Sequence, residues 1–284
     1  MSEGDGIRDQ VFIVTGAGRG VGRATAELLG SRGAKLVLAD DGRGPDGEGS
    51  DAEVVEEAAE AIRAAGGEAI ARAVDVTGAG AAEALVADAL EAFGGLAGAV
   101  SCAGIRLDRG LLKLEDADLE RVLAHQLHAP MRLLRASARH LVEARRPGSV
   151  VLAAGPEAFF GTARHAANAA GGAALVALAR SAAIELRRHG VRVNVVAPTA
   201  RTRLTEDLAL FRKIGAGSME PEHAAPLFVH LLSDRASDVN GEVLGVAGGR
   251  VYAFQSRETT GAFVEGRGFE LEELPEAWSE ITRG

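Results

Sequence analysis

Tyrosine, tryptophan and cysteine each occur once in these 284 residues, and aromatic residues make up only 4% of them. The lone Cys102 excludes an intramolecular disulfide and fits a reducing compartment, so a cytoplasmic location is expected. Positive charge is also short: 31 Lys and Arg face 40 Asp and Glu, a net charge of −9. The arginines are dispersed, so neither a nucleic-acid face nor a membrane-binding patch is expected, since both require clustered basic residues. No apolar run reads as approaching the length of a membrane span. The opening Met1-Ser-Glu-Gly-Asp-Gly is polar and acidic, unlike a signal or transit peptide. No metal site is expected.

Short apolar runs alternate with longer Ala-rich periodic stretches. The runs Val11–Thr15, Lys35–Ala39, Glu68–Ala73, Gly98–Ser101, Ser149–Ala153, Val191–Val196 and Val243–Val246 read as strands. Helical patterns follow the first run to Ser31, and cover Ala52–Ala65, Gly80–Phe93, Asp118–His140, Ala163–His189 and Pro221–Leu232. Asp41–Asp51, with its glycines and proline, reads as a loop. Strand–helix alternation implies right-handed βαβ units. The predicted fold is therefore α/β, a Rossmann-type doubly wound parallel sheet in a single domain over residues 1–250. Residues 251–284 read as a C-terminal tail with a short helix near Glu270–Trp278.

The first strand runs into Thr15-Gly16-Ala17-Gly18-Arg19-Gly20-Val21-Gly22, which opens a helix. Glycines there let the backbone turn tightly and approach a pyrophosphate, while the helix N-terminus supplies free N–H groups and positive potential. Gly16, Arg19, Gly20, Val21 and Gly22 are accordingly candidate cofactor contacts. Asp40, at the end of the second strand, can accept both ribose hydroxyls and would repel a 2′-phosphate, which favours NAD(H) over NADP(H). Arg19 pulls the other way, and with Asp40 and Asp41 beside it we weigh it less.

Thr-Gly-x-x-x-Gly-x-Gly at this spacing resembles the signature of the short-chain dehydrogenase/reductase family. Asp75-Val76-Thr77 resembles the stretch whose Asp-Val contacts the adenine in that family. Ser101-Cys102-Ala103-Gly104-Ile105 stands where the family writes Asn-Asn-Ala-Gly-Ile. Val191–Pro198 resembles the strand leading to the nicotinamide, and Thr202 the residue that contacts its carboxamide. The resemblance spans Arg8 to Gly249 and adds Asp75, Val76, Ala103, Gly104 and Thr202 to the candidate contacts. Arg106–Leu114 and the loop after Asp40 look most like the dehydrogenase part of multifunctional β-oxidation proteins. That likeness implies 3-hydroxyacyl or sterol-derived substrates.

The resemblance also implies a Tyr and a Lys four residues later for proton transfer, a Ser that orients the carbonyl, and an Asn that anchors a water relay. Here those positions hold Asn168, Gly172, Gly155 and Gln126. The chain contains no Tyr-x-x-x-Lys, and its one tyrosine, Tyr252, follows the last strand. Asn168 donates a hydrogen bond without exchanging a proton near neutral pH. His165 is the candidate substitute acid, since imidazole titrates in the useful range; its plainer reading is a solvent-exposed loop histidine. His125 and His128 read as surface or interface residues, and Cys102 as a small buried side chain. Pro130 falls inside a predicted helix, where it removes the hydrogen bond to the Gln126 carbonyl. The small residues of Ala169–Ala183 let another helix approach closely. The family pairs this helix with the preceding one across a dimer interface, so a homo-oligomer, or a hetero-oligomer with an active homologue, is expected through helices 118–140 and 168–188. Three functions stay open: an NAD(H)-binding partner or sensor subunit without the family's chemistry, an NAD-dependent oxidoreductase with a non-standard acid, and a structural subunit without cofactor. Segment Leu204–Gly217 reads as a flexible lid.

Overall fold

In the computed structural model, which describes residues 4–215 and 217–283, each apolar run becomes a strand of one sheet. The strands are β1 (Val11–Thr15), β2 (Lys35–Asp40), β3 (Glu68–Ala73), β4 (Gly98–Ser101), β5 (Gly148–Ala153), β6 (Val191–Thr199), β7 (Val243–Ala247) and β8 (Arg250–Ala253). Their spatial order is β3-β2-β1-β4-β5-β6-β7-β8, parallel except for β8. The order reverses between β1 and β4, so a crevice opens at the carboxyl ends of those strands.

Every residue of β1 and β4 is buried, as a parallel strand covered on both faces requires. On one side α1 (Gly20–Ser31) packs against α2 (Glu53–Ala64) and α8 (Pro221–Leu232). On the other, α3 (Ala81–Phe93) packs on α5 (Ala129–Glu143), and α7 (Ala166–Leu186) on both α4 (Asp116–Leu123) and α5. Small residues set the spacing: a Cβ at Gly30 would lie 2.7 Å from Ile62 Cγ2. Phe12, Phe228, Leu36 and Leu38 belong to the main core cluster.

Three sequence expectations change. The tail begins later than Gly249, because Arg250–Ala253 pairs antiparallel with β7 as the sheet's edge strand. Gly245 opposite admits the Tyr252 ring; a Cβ there would meet it at 2.3 Å. The Arg250 guanidinium covers that ring at 4.5 Å. The helix predicted over Asp118–His140 is broken by a π-helical turn, Ala124–His128. Pro130 has no N–H to return to the Gln126 carbonyl, and Ala129 N–H reaches back five residues to the Ala124 carbonyl. Lastly, Ala166–His189 is long and apolar enough by composition to cross a membrane, contrary to the reading that no run approaches that length. It packs along β6 and buries Leu175, Val176, Ala179 and Ala183, as a core helix of this fold does.

From Phe254 onward the chain forms a second, smaller unit. It holds a 3-10 turn (Leu271–Glu273) and α9 (Leu274–Thr282), four residues later than the predicted helix. A reciprocal capping box between Glu270 and Glu273 starts that turn, and Arg267 pairs with Glu273. Thr259 Oγ1 donates to the Ile281 carbonyl at 2.6 Å.

Candidate dinucleotide cleft

The glycine turn is built as its sequence requires. Gly16 takes φ +69°, and a Cβ there would lie 2.5 Å from the Ala103 backbone nitrogen. A Cβ at Gly22 would lie 2.0 Å from the Gly16 carbonyl oxygen, so only glycine lets the helix start this close to the strand end. Arg19, the N-terminal flanking residue of α1, is extended and makes no side-chain cap, and the first turn holds no acidic residue. The first N–H groups of α1 therefore face an open cleft of about 800 Å³.

That cleft is lined by Gly16, Arg19, Gly20, Val21, Gly22, Asp40, Val76, Ala103, Gly104 and Thr202. The topology thus gathers every candidate cofactor contact but one. Asp75 stands apart: its Oδ1 accepts from Thr77 N–H at 2.8 Å and from the Thr77 hydroxyl at 2.7 Å. Its other oxygen pairs with Arg43 at 2.9 Å. Against the burial that would raise it, these Thr77 bonds and the Arg43 charge hold the Asp75 carboxyl below the usual carboxylate range. Asp75 serves here as a brace for Arg43, which itself lines the cleft and also pairs with Asp41.

Asp40 Oδ2 accepts from Gly18 N–H at 3.0 Å and Oδ1 from Gly42 N–H at 2.8 Å. Each oxygen keeps a lone pair for a further donor, such as a ribose hydroxyl. Opposite the turn, Arg203 is a cation the sequence reading passed over. Its Nη1 is buried and has no hydrogen-bond partner among the described residues. Burial, then the neighbouring Arg19, hold its guanidinium below the ordinary value, against the attraction of Asp40 and Asp41. A buried donor left unpaired costs about 1–3 kcal/mol. An anion beside the glycine turn would satisfy it, so the residues present fit a dinucleotide diphosphate. Cys102 sits behind Gly22, and burial pushes its thiol up to about 12, which leaves it protonated and unreactive.

The four positions where the resemblance expects chemical groups all line the same cleft. Asn168 is 1% exposed; its Nδ2 donates to the Ile105 carbonyl at 3.0 Å and its Oδ1 accepts from Leu107 N–H at 3.1 Å. Gln126, on the π turn, donates from Nε2 to the same Ile105 carbonyl at 3.0 Å. Both amides are thus engaged by the backbone after β4. At Gly172 a Cβ would lie 3.0 Å from Ala158 Cβ. Ala158 belongs to α6 (Glu157–Phe160), a single turn after β5. At Gly155 a Cβ would lie 2.1 Å from Glu157 Oε1, so the Glu157 carboxylate fills the space of a side chain there.

Two histidine expectations are corrected. His165 is 5% exposed, packed in the cleft wall just before α7, with a backbone bridge to Arg109. The loop Thr162–His165 is tied down by that bridge and by the Arg164–Asp108 pair, which removes the predicted exposure. His125 is 6% exposed; its Nε2 lies 3.1 Å from Arg43 Nη1, and its Nδ1 2.9 Å from the Arg121 carbonyl oxygen. His128 is half-buried. Tyr252, on β8, does not line the cleft. The predicted lid is latched: Arg106 binds Asp207 through both nitrogens, at 2.6 and 2.7 Å, and also the Leu204 carbonyl. Among the described residues no cluster of His, Cys, Asp and Glu could hold a metal ion.

A sequence model described as enoyl-(acyl carrier protein) reductase matches residues 16–250. A short-chain type dehydrogenase/reductase of Mycobacterium tuberculosis is 32% identical over 98% of this chain and 95% of its own length. A hydroxyacyl-CoA dehydrogenase of the same organism is 34% identical over 86% of this chain and 79% of its own length. The mouse peroxisomal multifunctional enzyme type 2 is 29% identical over 96% of this chain, which spans 36% of that longer enzyme. A crystal structure of a short chain dehydrogenase from Mycobacterium avium superposes with a TM-score of 0.85 at 31% identity, covering 98% of this chain and 97% of that one. The chain belongs to the short-chain dehydrogenase/reductase family, near the branch that includes the multifunctional-enzyme dehydrogenases.

Proposed function

We propose, on the premise that this chain is a short-chain dehydrogenase/reductase, that it binds NAD(H) in the cleft and acts as a partner or sensor subunit without the family's Tyr–Lys proton transfer. One observation carries the reading: the side chains at the expected chemical positions are spent on the fold. Asn168 and Gln126 converge on the Ile105 carbonyl. Ala158 and Glu157 fill the space beside Gly172 and Gly155. When bound, the cofactor would supply a nicotinamide able to exchange hydride. This chain's own part is to hold the diphosphate with the α1 N-terminus and Arg203, and the adenosine ribose with Asp40. The Asp40 carboxylate favours NAD(H), because a 2′-phosphate beside it would face like charge.

The partner surface in this reading is the α5/α7 side of the fold. Ile184 on α7 is 79% exposed on a helix otherwise rich in alanine, which suits close docking of a second helix pair from the same chain or an active homologue. The lone protonated thiol and the acidic surface suit a cytoplasmic setting. Calorimetric titration of NAD⁺, NADH and NADPH tests the cofactor reading: NAD⁺ and NADH binding more tightly than NADPH is the expected result, and binding of none of the three overturns it.

A second reading is favoured by His165, which is an imidazole buried in the cleft wall. In it the chain is an NAD-dependent oxidoreductase of 3-hydroxyacyl substrates, like the class named for its mycobacterial relative, with His165 as proton acceptor. NADH formation from 3-hydroxyacyl thioesters that is lost in His165→Ala would establish this reading in place of the first.

A further inference from the structure

We infer that Glu157 makes the cleft selective for the oxidised, cationic form of the dinucleotide, so that the protein responds to NAD⁺ rather than to NADH. The inference rests on the cofactor reading above and gives it a direction.

Gly155 follows β5 and has no side chain to occupy the cleft wall. The chain then turns at once: Ala158 N–H donates to the Gly155 carbonyl at 3.1 Å, and Pro156 sets the entry to α6 at φ −61°. This tight turn folds Glu157 back over Gly155. Its Oε1, Cδ and Oε2 lie 2.1, 2.3 and 2.3 Å from where a Cβ at 155 would be. A serine, or any other side chain, would exclude the carboxylate from that seat; glycine admits it. Among the described residues Glu157 makes no hydrogen bond and no ion pair through its carboxylate. Arg106 feels the Glu157 charge but binds Asp207 through Nη1 and Nη2. His165 lines the same wall.

The two ends of the ligand are told apart by the strands. Asp40 ends β2 and marks the adenosine ribose, and the glycine turn with Arg203 marks the diphosphate. A dinucleotide crossing the switch point between β1 and β4 places its second nucleotide at the carboxyl ends of β4, β5 and β6. There the cleft is lined by Gly104, Gly155, Glu157, Pro198 and Thr199. The oxidised nicotinamide ring carries a positive charge and the dihydro ring none, while the rest of the molecule is unchanged. An unpaired carboxylate on this wall therefore attracts one redox form and not the other. Across a few ångströms of partly wetted cleft, one charge pair corresponds to roughly a tenfold difference in affinity.

The test is calorimetric titration of NAD⁺, NADH and ADP-ribose into the full chain and into Glu157→Gln. ADP-ribose lacks the nicotinamide and reports the adenosine and diphosphate subsites alone. The expected result is NAD⁺ about tenfold tighter than NADH in the unmodified protein, a ratio near one in Glu157→Gln, and equal ADP-ribose affinity in both. In the unmodified protein, about 1 M salt should also bring the ratio toward one. NADH binding as tightly as NAD⁺ in the unmodified protein, or a preference that survives Glu157→Gln, overturns the inference and leaves the cofactor reading standing. Failure of all three ligands to bind overturns the cofactor reading itself, and the inference with it.

Discussion

If Asn168 has become a structural amide, removing it should cost stability before it costs anything else. In Asn168→Ala the buried Leu107 N–H loses its acceptor, while the Ile105 carbonyl keeps the Gln126 donor at 3.0 Å. One orphaned buried N–H costs about 1–3 kcal/mol, and the cavity left by a side chain 1% exposed adds to it. A total near 2–3 kcal/mol follows. With a urea m-value of about 3 kcal/mol/M, the unfolding midpoint should fall by roughly 0.7–1 M. Gln126 sharpens the test because it shares the acceptor. Each single substitution leaves one donor on Ile105, whereas Asn168→Ala with Gln126→Ala leaves none. The double variant should therefore be destabilised beyond the sum of the singles by about 1–2 kcal/mol. A midpoint within experimental scatter of the wild type, or strict additivity, would refute the assignment. If, instead, Asn168 touched ligand, its removal would spare the midpoint and weaken ligand binding.

Replacing Arg203 with Met keeps its packing but removes the unpaired donor, and should weaken ADP-ribose binding about tenfold while sparing adenosine; equal losses for both would refute a diphosphate role. Asp40→Ala should raise NADPH affinity relative to NADH, measured by paired titrations, and an unchanged ratio would move cofactor selection elsewhere. The Asp75 carboxyl is held below its ordinary value of 3.8, so its stabilising contribution is complete above that pH and lost as the pH falls through the lower folded value. Asp75→Asn should thus be less stable than wild type at neutral pH, with the gap closing in acid-unfolding curves below that pH; a constant gap would contradict the ion pair with Arg43. Gly155→Ser meets only the far end of the flexible Glu157 side chain. It should cost little in thermal stability yet abolish the NAD⁺ preference as Glu157→Gln does, and a retained preference would place the selecting charge elsewhere.

The first seven strands and the glycine turn were legible because they rest on local pattern: buried β-branched runs, and glycines where a backbone carbonyl or amide lies within 2–3 Å of a would-be Cβ. The resemblance put Gln126, Gly155, Asn168 and Gly172 at the family's chemical positions, and the structure brings all four to one cleft. What those residues do was not legible. Asn168 and Gln126 share one carbonyl across more than forty residues of sequence, with Gln126 presented from a π turn rather than a regular helix. The burial of His165 depends on a bridge to Arg109, far away in sequence. Arg203 was hidden by the resemblance itself, which drew attention to Thr202 next to it. β8 was missed because Arg250–Ala253 is short and half-polar, and its pairing relies on a ring seated over Gly245.

The glycines at 155 and 172 bear on how this wall of the cleft is packed. Glycine at a position where the family resemblance expects a larger side chain would leave a void, and voids lined by a packed core are destabilising in proportion to their size. Here the single-turn helix α6 answers both: Ala158 closes on Gly172 from one side, and Glu157 folds over Gly155 from the other. The two substitutions are therefore coupled through one short element rather than independent. A lysine stem at 172 would press on Ala158, and through it displace the turn that seats Glu157. Placing Tyr at 168 and Lys at 172 while α6 remains as it is would overpack this wall. The wall beside Gly155 and Gly172 is thus set by the packing of α6 as much as by the side chains at those two positions.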